Sequence, residues 1–406
     1  MSLTLQSVSK NINTEIRLTG SKSESNRALI IQNLCDEGFP IHNLSEAKDT
    51  VTLKNILGNT TTVADVGPAG TAMRFLTARF AIAEGTVLLT GTERMKQRPI
   101  GILVDALRKL GADIEYTGIE GFPPLQITGK SLPGGSISID GSVSSQFISA
   151  LCLIAPKMEN GLQLQFEGEI ASRPYLDMTL EMQRSFGIEH SWNDNTLSIP
   201  NQHYQPADFT VEPDWSAASY WYAVAALADT AEIFLPNLKK HSLQGDAVLP
   251  VIFERFGVET EFQNGGIQLS KTTSHQLPEI IEIDCEKCPD LAQTFATTIA
   301  GLGIGGRLSG LKSLRIKETD RITALITELA KFGITARELP DFVLEINPGK
   351  LHQPSGILAT YEDHRMAMAF APLILKVDTL TFDDPEVVEK SYPEFWEHLE
   401  VIAKSV

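Results

Sequence analysis

Apolar positions along the chain alternate between two rhythms: a helical period that ends on a glycine, then a short run of period two. Four segments carry it clearly. Residues 102–107 run into Gly111-Ala112-Asp113-Ile114, 176–185 into Gly187-Ile188, 247–255 into Gly257-Val258, and 322–331 into Gly333-Ile334. Each glycine follows the last helical turn, where a left-handed C-cap favours it. They recur about every 70 to 76 residues, and a second short strand follows, as in Leu125-Gln126-Ile127 or Phe342-Val343-Leu344-Glu345-Ile346. Between them lie shorter strand–helix pieces, such as 136–140 leading into 146–154. The pattern predicts a strand–helix–strand–helix–strand–strand unit copied about six times. Units that each bury one helical face should assemble as α/β layers rather than a linear solenoid. Pro236-Asn237-Leu238-Lys239-Lys240, just after an apparent strand, is the best candidate for a join, with about three copies on each side.

Composition narrows the class. At 406 residues and 42% hydrophobic, the chain can bury substantial cores, most readily as two domains. It contains no run of about 20 apolar residues, and Met1-Ser2-Leu3-Thr4-Leu5-Gln6 lacks the basic-then-apolar order of a secretory signal, so a soluble cytoplasmic protein is expected. Four cysteines, Cys35, Cys152, Cys285 and Cys288, are too few and too scattered for a disulfide framework. A net charge of −17 argues against nucleic acid as the main partner. Any basic cluster in such a chain is local.

Basic and hydroxylic residues gather at predicted helix starts. Gly20-Ser21-Lys22-Ser23-Glu24-Ser25-Asn26-Arg27 opens one helix, and Gly67-Pro68-Ala69-Gly70-Thr71-Ala72-Met73-Arg74 another. Arg94-Met95-Lys96-Gln97-Arg98-Pro99, Ser142-Val143-Ser144-Ser145-Gln146 and Ser172-Arg173-Pro174-Tyr175 precede three more. Further on come Cys288-Pro289-Asp290, Lys317-Glu318-Thr319-Asp320-Arg321, Asp363-His364-Arg365 and Lys390-Ser391-Tyr392-Pro393. Unpaired N–H groups and the helix dipole favour anions at such ends, and cationic side chains add charge-assisted bonds. Singly, each serine or aspartate is explained as a helix cap, and Glu318 with Arg321 as a surface i,i+3 pair. Together they describe a pocket for a small polyanion. Two other motifs point nowhere: Gly301-Leu302-Gly303-Ile304-Gly305-Gly306 follows a helix and leads into a strand, the reverse of a dinucleotide site, and Cys285-Glu286-Lys287-Cys288 has no second pair at metal-ligand spacing.

Gly20-Ser21-Lys22-Ser23 through Asn26-Arg27, Ala69-Gly70-Thr71-Ala72-Met73-Arg74, Ser144-Ser145-Gln146, Arg315-Ile316-Lys317-Glu318-Thr319-Asp320-Arg321 and Asp363-His364-Arg365-Met366-Ala367-Met368 resemble, in order, the signature segments of the 5-enolpyruvylshikimate-3-phosphate synthases. The resemblance spans essentially the whole chain. It implies two similar domains, each of three βαβαββ repeats in an inside-out α/β barrel-like fold, with the active site in the cleft between them. Residues 20–237 would form the inserted, shikimate 3-phosphate domain, and 1–19 with 238–406 the other, carrying phosphoenolpyruvate-side residues and the catalytic carboxylates. The implied reaction moves the enolpyruvyl group of phosphoenolpyruvate onto the 5-hydroxyl of shikimate 3-phosphate by addition and elimination, in a monomer with no metal or organic cofactor.

By the same resemblance Lys22, Ser23, Arg27, Ser144, Ser145, Gln146, Ser172, Asp290 and Lys317 bind shikimate 3-phosphate. Lys22, Gly70, Arg98, Gln146, Arg321, Arg365 and Lys390 surround phosphoenolpyruvate, with Arg321 and Arg365 suited to bidentate capture of its carboxylate. Asp290 is the candidate base and Glu318 the candidate for carbon protonation, helped by Lys22. Pro68, Phe75 and Ser313 depart from the family's usual asparagine, proline and asparagine, which bears on substrate affinity and on the response to the inhibitor glyphosate. Two alternatives remain at this level. One is the related transferase acting on UDP-N-acetylglucosamine, which typically carries a cysteine where this chain has Pro68-Ala69-Gly70-Thr71. The other is a non-catalytic anion-binding protein on the same scaffold.

Overall fold

The computed structural model describes residues 2–405 apart from Thr60, Ser172, Thr273 and Ser274. The chain divides into two compact units, one inserted into the other: Gly20–Val211 is continuous, while Met1–Thr19 and Glu212–Val406 together make a split unit. Each has its own hydrophobic core.

The repeat predicted from the glycines is present. In the inserted unit one copy runs Val63–Asp65, helix Gly70–Ala81, Gly85–Thr90, helix Gly101–Lys109, Asp113–Tyr116 and Leu125–Gly129. Its first two strands pair in parallel across the helical crossover, and the fourth pairs antiparallel with both the second and the third. Gly135–Asp140 to Thr196–Ile199 repeats the same order. A third copy is reduced to helices Lys22–Leu34 and Lys48–Leu57 with the parallel pair Phe209–Thr210 and Ile41–His42. The split unit holds two complete copies, one starting at Asn11–Glu15 and resuming at helix Trp215–Leu227, the other from Ile280–Asp284 to Val343–Ile346. Its third copy takes its last strand, Leu3–Ser7, from the N-terminus, between Thr379–Phe382 and Ala403–Ser405. Gly111, Gly187, Gly257 and Gly333 all have positive φ, so each supplies the left-handed turn at which a helix hands over to a strand.

The two helices of a copy differ in burial. The second is amphipathic: Gly101–Lys109 buries Leu103, Val104, Ala106 and Leu107 along one stripe. The first is enclosed almost all round, as in Trp215–Leu227 or His364–Phe370, which explains why Met366, Met368 and Phe370 are apolar.

One boundary is corrected. The expected join after Asn237 lies inside the split unit, whose border is at Glu212. Strand Thr230–Pro236 pairs in parallel with Asn11–Glu15 from the other end of the chain, and the helix before it lies in the same core as Ile12. Pro236-Asn237 marks only a strand end. At the true border no composition shift occurs; there Asp214 N donates to Thr19 O at 2.9 Å, drawing the two ends of the insertion together.

Candidate active site

In the split unit, helix starts from successive copies deliver charged side chains to one place. Asp290 lies in the 3₁₀ turn Pro289–Leu291 that feeds helix Ala292–Leu302. Asp320 caps Arg321–Lys331 by accepting from Thr323 N, which makes Arg321 the first helical residue. Asp363 caps His364–Phe370 and accepts from Arg365 N at 2.9 Å. Lys390 ends the 3₁₀ turn Pro385–Lys390, and the segment it opens leads into helix Phe395–Leu399.

Their contacts form one network. Arg321 donates to Asp363 through Nε (2.7 Å) and Nη2 (3.3 Å), to Asp290 through Nη1 (3.1 Å) and to Glu318 through Nη2 (3.1 Å). Arg365 reaches the Asp290 carboxylate at 3.0 Å and its carbonyl at 3.1 Å, and Lys317 Nζ stands 3.6 Å from the same carboxylate. Lys390 Nζ donates to Glu318 Oε1 at 2.8 Å, so Glu318 bridges Lys390 and Arg321. Burial would raise the Asp290 carboxyl, but Arg365, Lys317 and Arg321 outweigh it and hold the group well below the usual carboxylate range. Asp290 pulls Lys317 up, yet burial together with Arg321 and Arg365 leaves that ammonium lowered. Arg321 is raised: burial opposes its charge, and Asp363, Glu318 and Asp290 more than compensate.

Asp246, absent from the sequence candidates, joins this network from the 3₁₀ turn Gly245–Val248. It accepts a hydrogen bond from Ser216, whose hydroxyl also lies 3.4 Å from Arg365 Nη2. Burial first, then the charge of Asp290, pushes its carboxyl up to about 7. The folded protein therefore keeps a proton that the unfolded chain, with an ordinary value of 3.8, has already lost. That contribution to stability is complete below about pH 4 and disappears as pH rises through about 7. Asp246→Asn, similar in shape but unable to ionise, is expected to gain stability relative to the parent between about pH 5 and 8, on the order of 1 kcal/mol or more. Urea unfolding at both pH values measures this; a difference that does not change with pH refutes it.

In the inserted unit the candidate residues again stand at helix starts. Ser21 caps helix Lys22–Leu34 through Glu24 N, whereas Ser144, at the same position of helix Ser145–Ile154, makes no side-chain cap bond. Capping thus accounts for Ser21 and not for Ser144. Lys22 Nζ faces Asp49 at 3.5 Å, and Gln146 Nε2 donates to Thr71 Oγ1 at 3.2 Å. Gly70 opens its helix directly against Arg98: a Cβ there would lie 2.7 Å from Arg98 Nη1. Arg74 donates to the carbonyls of Gly70 and Pro99, both at 3.2 Å, tying that helix to the loop that carries Arg98.

Two arginines differ from expectation. Arg27 was expected to orient a substrate ring, but it is buried and bonds Thr179 Oγ1 (2.7 Å), Ser149 Oγ (3.0 Å) and the carbonyls of Ser23 and Tyr175. It joins three helices, and burial lowers its guanidinium to about 10. Arg321 was expected to grip a carboxylate with two donors; while its bonds to three internal carboxylates stand, four of its five N–H donors are committed. Ser172 lies outside the described residues.

The profile of the family "EPSP synthase (3-phosphoshikimate 1-carboxyvinyltransferase)" matches residues 53–399. The chain belongs to the EPSP synthase family. A 3-phosphoshikimate 1-carboxyvinyltransferase of Bacteroides fragilis is 48% identical over 397 residues, 97% of this chain and 96% of its own. One from Vibrio campbellii is 36% identical over 431 residues, with 99% of both chains covered. Among solved structures, an EPSP synthase of Acinetobacter baumannii superposes with a TM-score of 0.79 over 100% of both chains at 21% identity, a likeness of fold.

Within this family setting, sequence reasoning missed Asp246, Ser216 and Asp49, and gave Arg74 no role of its own. Asp246 could have been noticed only as one more acid in a turn before a helix, because its partners are 30 or more residues away. Cys285 and Cys288 are free and buried, and the contact with Cys288, together with burial, holds the Cys285 thiol up in its protonated form.

Proposed function

We propose that this EPSP synthase family member joins the 5-hydroxyl oxygen of shikimate 3-phosphate to C2 of phosphoenolpyruvate and then expels phosphate. In the addition the hydroxyl loses a proton and C3 gains one, giving a tetrahedral ketal. In the elimination the C2–O(phosphate) bond breaks and C3 returns its proton. The observation that carries this reading is the Asp290 carboxylate, faced by Arg321, Arg365 and Lys317 from separate elements. A carboxylate so placed is ionised in the free enzyme and can take the hydroxyl proton once substrate anions draw the cations away from it, and those cations suit a polyanionic substrate pair.

The remaining roles follow the family resemblance. Glu318, bridging Arg321 and Lys390, is the proposed acid at C3, and Lys22 is a further proposed catalytic residue. Ser23, Ser144, Ser145, Gln146 and Ser172 are proposed to hold shikimate 3-phosphate, with Lys317 beside Asp290. Lys22, Gly70, Arg98, Arg365 and Lys390 are proposed for phosphoenolpyruvate. Arg27 and Arg321 enter as buried anchors that each keep one donor for substrate. No described helix is long and apolar enough to cross a membrane; a monomer working in the cytoplasm is part of the proposal.

The test is phosphate release from phosphoenolpyruvate. It is expected to require shikimate 3-phosphate and to be absent with UDP-N-acetylglucosamine. The opposite dependence overturns the acceptor, and no release with either overturns the enzymatic reading.

A further inference from the structure

The approach to Asp363 follows an unusual path. Residues 355–363 form no helix and no strand, and meet the strand Thr379–Phe382 at the bridge of Leu358 to Phe382. They run antiparallel along helix Arg321–Lys331, pinned at successive turns. Ser355 N donates to the Lys331 carbonyl at 3.0 Å, and Lys331 Nζ to the Ile357 carbonyl at 2.8 Å. Ala359 N donates to Glu328 Oε2 at 3.2 Å, and the Tyr361 hydroxyl to Glu328 Oε1 at 2.7 Å. The last contact is Asp363 with Arg321, seven residues from Glu328 and on the same helical face.

Between these last two pins the backbone reverses. Tyr361 and Glu362 have φ of 57° and 55°, a left-handed conformation that side chains with a Cβ disfavour. Among the described residues the other such pair is Asp341-Phe342, in the loop that joins the antiparallel strands Ala336–Leu339 and Val343–Ile346. No hairpin exists at 361–362. A hydrogen bond from Asp363 N to the Thr360 carbonyl at 2.9 Å closes the turn, and Glu328 on one side, the Asp363 side chain on the other, and Asp383, which accepts from Thr360 N at 2.9 Å, hold its ends. Glu328 is only 1% exposed and is paired with Lys331 at 2.8 Å. A buried carboxylate outside the substrate cluster, spent on one tyrosine hydroxyl, one amide and one lysine, is costly to keep unless its geometry matters.

We propose that Glu328 and Tyr361 are positioning residues. They clamp the reversal at 361–362, which delivers Asp363 to Arg321 and Arg365 to Asp290. The proposal rests on the site assignment made under Proposed function. Freed of the clamp, residues 361–362 relax toward ordinary φ values, and Arg365 is displaced from Asp290.

Tyr361→Phe in the full chain removes one hydroxyl and keeps the ring. The expected result is a rise of about fivefold or more in KM for phosphoenolpyruvate, with kcat changed much less, because ground-state positioning is lost rather than a proton transfer. Amide hydrogen exchange over 359–366 is expected to quicken. Adding Glu362→Gly, which takes φ near 55° without cost, is expected to recover most of the KM; a purely stabilising tyrosine predicts no such rescue. An unchanged KM and unchanged exchange in Tyr361→Phe overturn the clamp, as does failure of the glycine to restore KM. The parent chain is the control: if it releases no phosphate, the enzymatic reading fails, and the exchange comparison, which needs no turnover, decides the clamp alone.

Discussion

Arg321→Ala is expected to destabilise the split unit by about 3–5 kcal/mol, the range found when one partner of a buried ion pair is removed. The Arg321 side chain is 2% exposed, and it is the shared partner of Asp363, Asp290 and Glu318, whose side chains are 0%, 17% and 14% exposed. Deleting it leaves Asp363 enclosed without its guanidinium and sets three carboxylates against one another. For a unit of roughly 200 residues, each kcal/mol moves Tm by about 2–4 °C, so a fall of roughly 6–20 °C is expected in a thermal scan. Arg321→Lys should recover only part of it, because one ammonium cannot reproduce a planar fork shared by three acceptors. A shift under about 2 °C for the alanine variant would show that the carboxylates find other partners or protonate at little cost.

Asp290→Asn is expected to lower kcat by about 10²- to 10⁴-fold, the usual weight of a general base, while leaving the fold in place because the amide is nearly isosteric. Its carboxyl is held well below the usual range by Arg365, Lys317 and Arg321 against the opposing effect of burial. In the free enzyme it is therefore ionised throughout the neutral and mildly acidic range. Since kcat/KM reports the free enzyme, its pH profile should show no acidic limb from Asp290 above about pH 4. A carboxylate so strongly stabilised is also a weak base. Its proton affinity rises only when substrate anions draw Arg365 and Lys317 toward themselves, so base strength is coupled to substrate binding. Steady-state kinetics of Asp290→Asn checks this: turnover above about a tenth of the parent's would move the base to another group.

Stability against acid follows the same charges. Asp290, lowered, contributes stability that is present above its unfolded value and is lost as pH falls through the folded one. Asp246, raised, contributes in the opposite direction, losing its part as pH rises through about 7. The two carboxylates share Arg365 and repel one another, so the pair sets a stability maximum on the acid side of neutrality.

The βαβαββ repeat and the helix starts that carry hydroxyls and cations were legible in the order of residues. Both are local: a glycine C-cap, an amphipathic stripe or a Ser-Lys-Ser turn is specified within about ten neighbours. The second helix, half exposed, announced itself by periodicity in four copies; the first, buried almost all round, showed mainly by its start, and Trp215–Leu227 did not show at all. What the order of residues could not supply was partnership across distance. The unit border at Glu212 depends on Thr230–Pro236 pairing with Asn11–Glu15, more than 200 residues away, and no composition marks it. Likewise Arg27 and Arg321 read as ligand-facing cations because arginine at a helix start suits an anion. Folding encloses both and gives their donors to internal acceptors, because a buried guanidinium must bond most of its N–H groups to repay desolvation. Asp246 and the Glu328–Tyr361 clamp are of the same kind: ordinary residues in sequence, given their chemistry by what the fold places beside them.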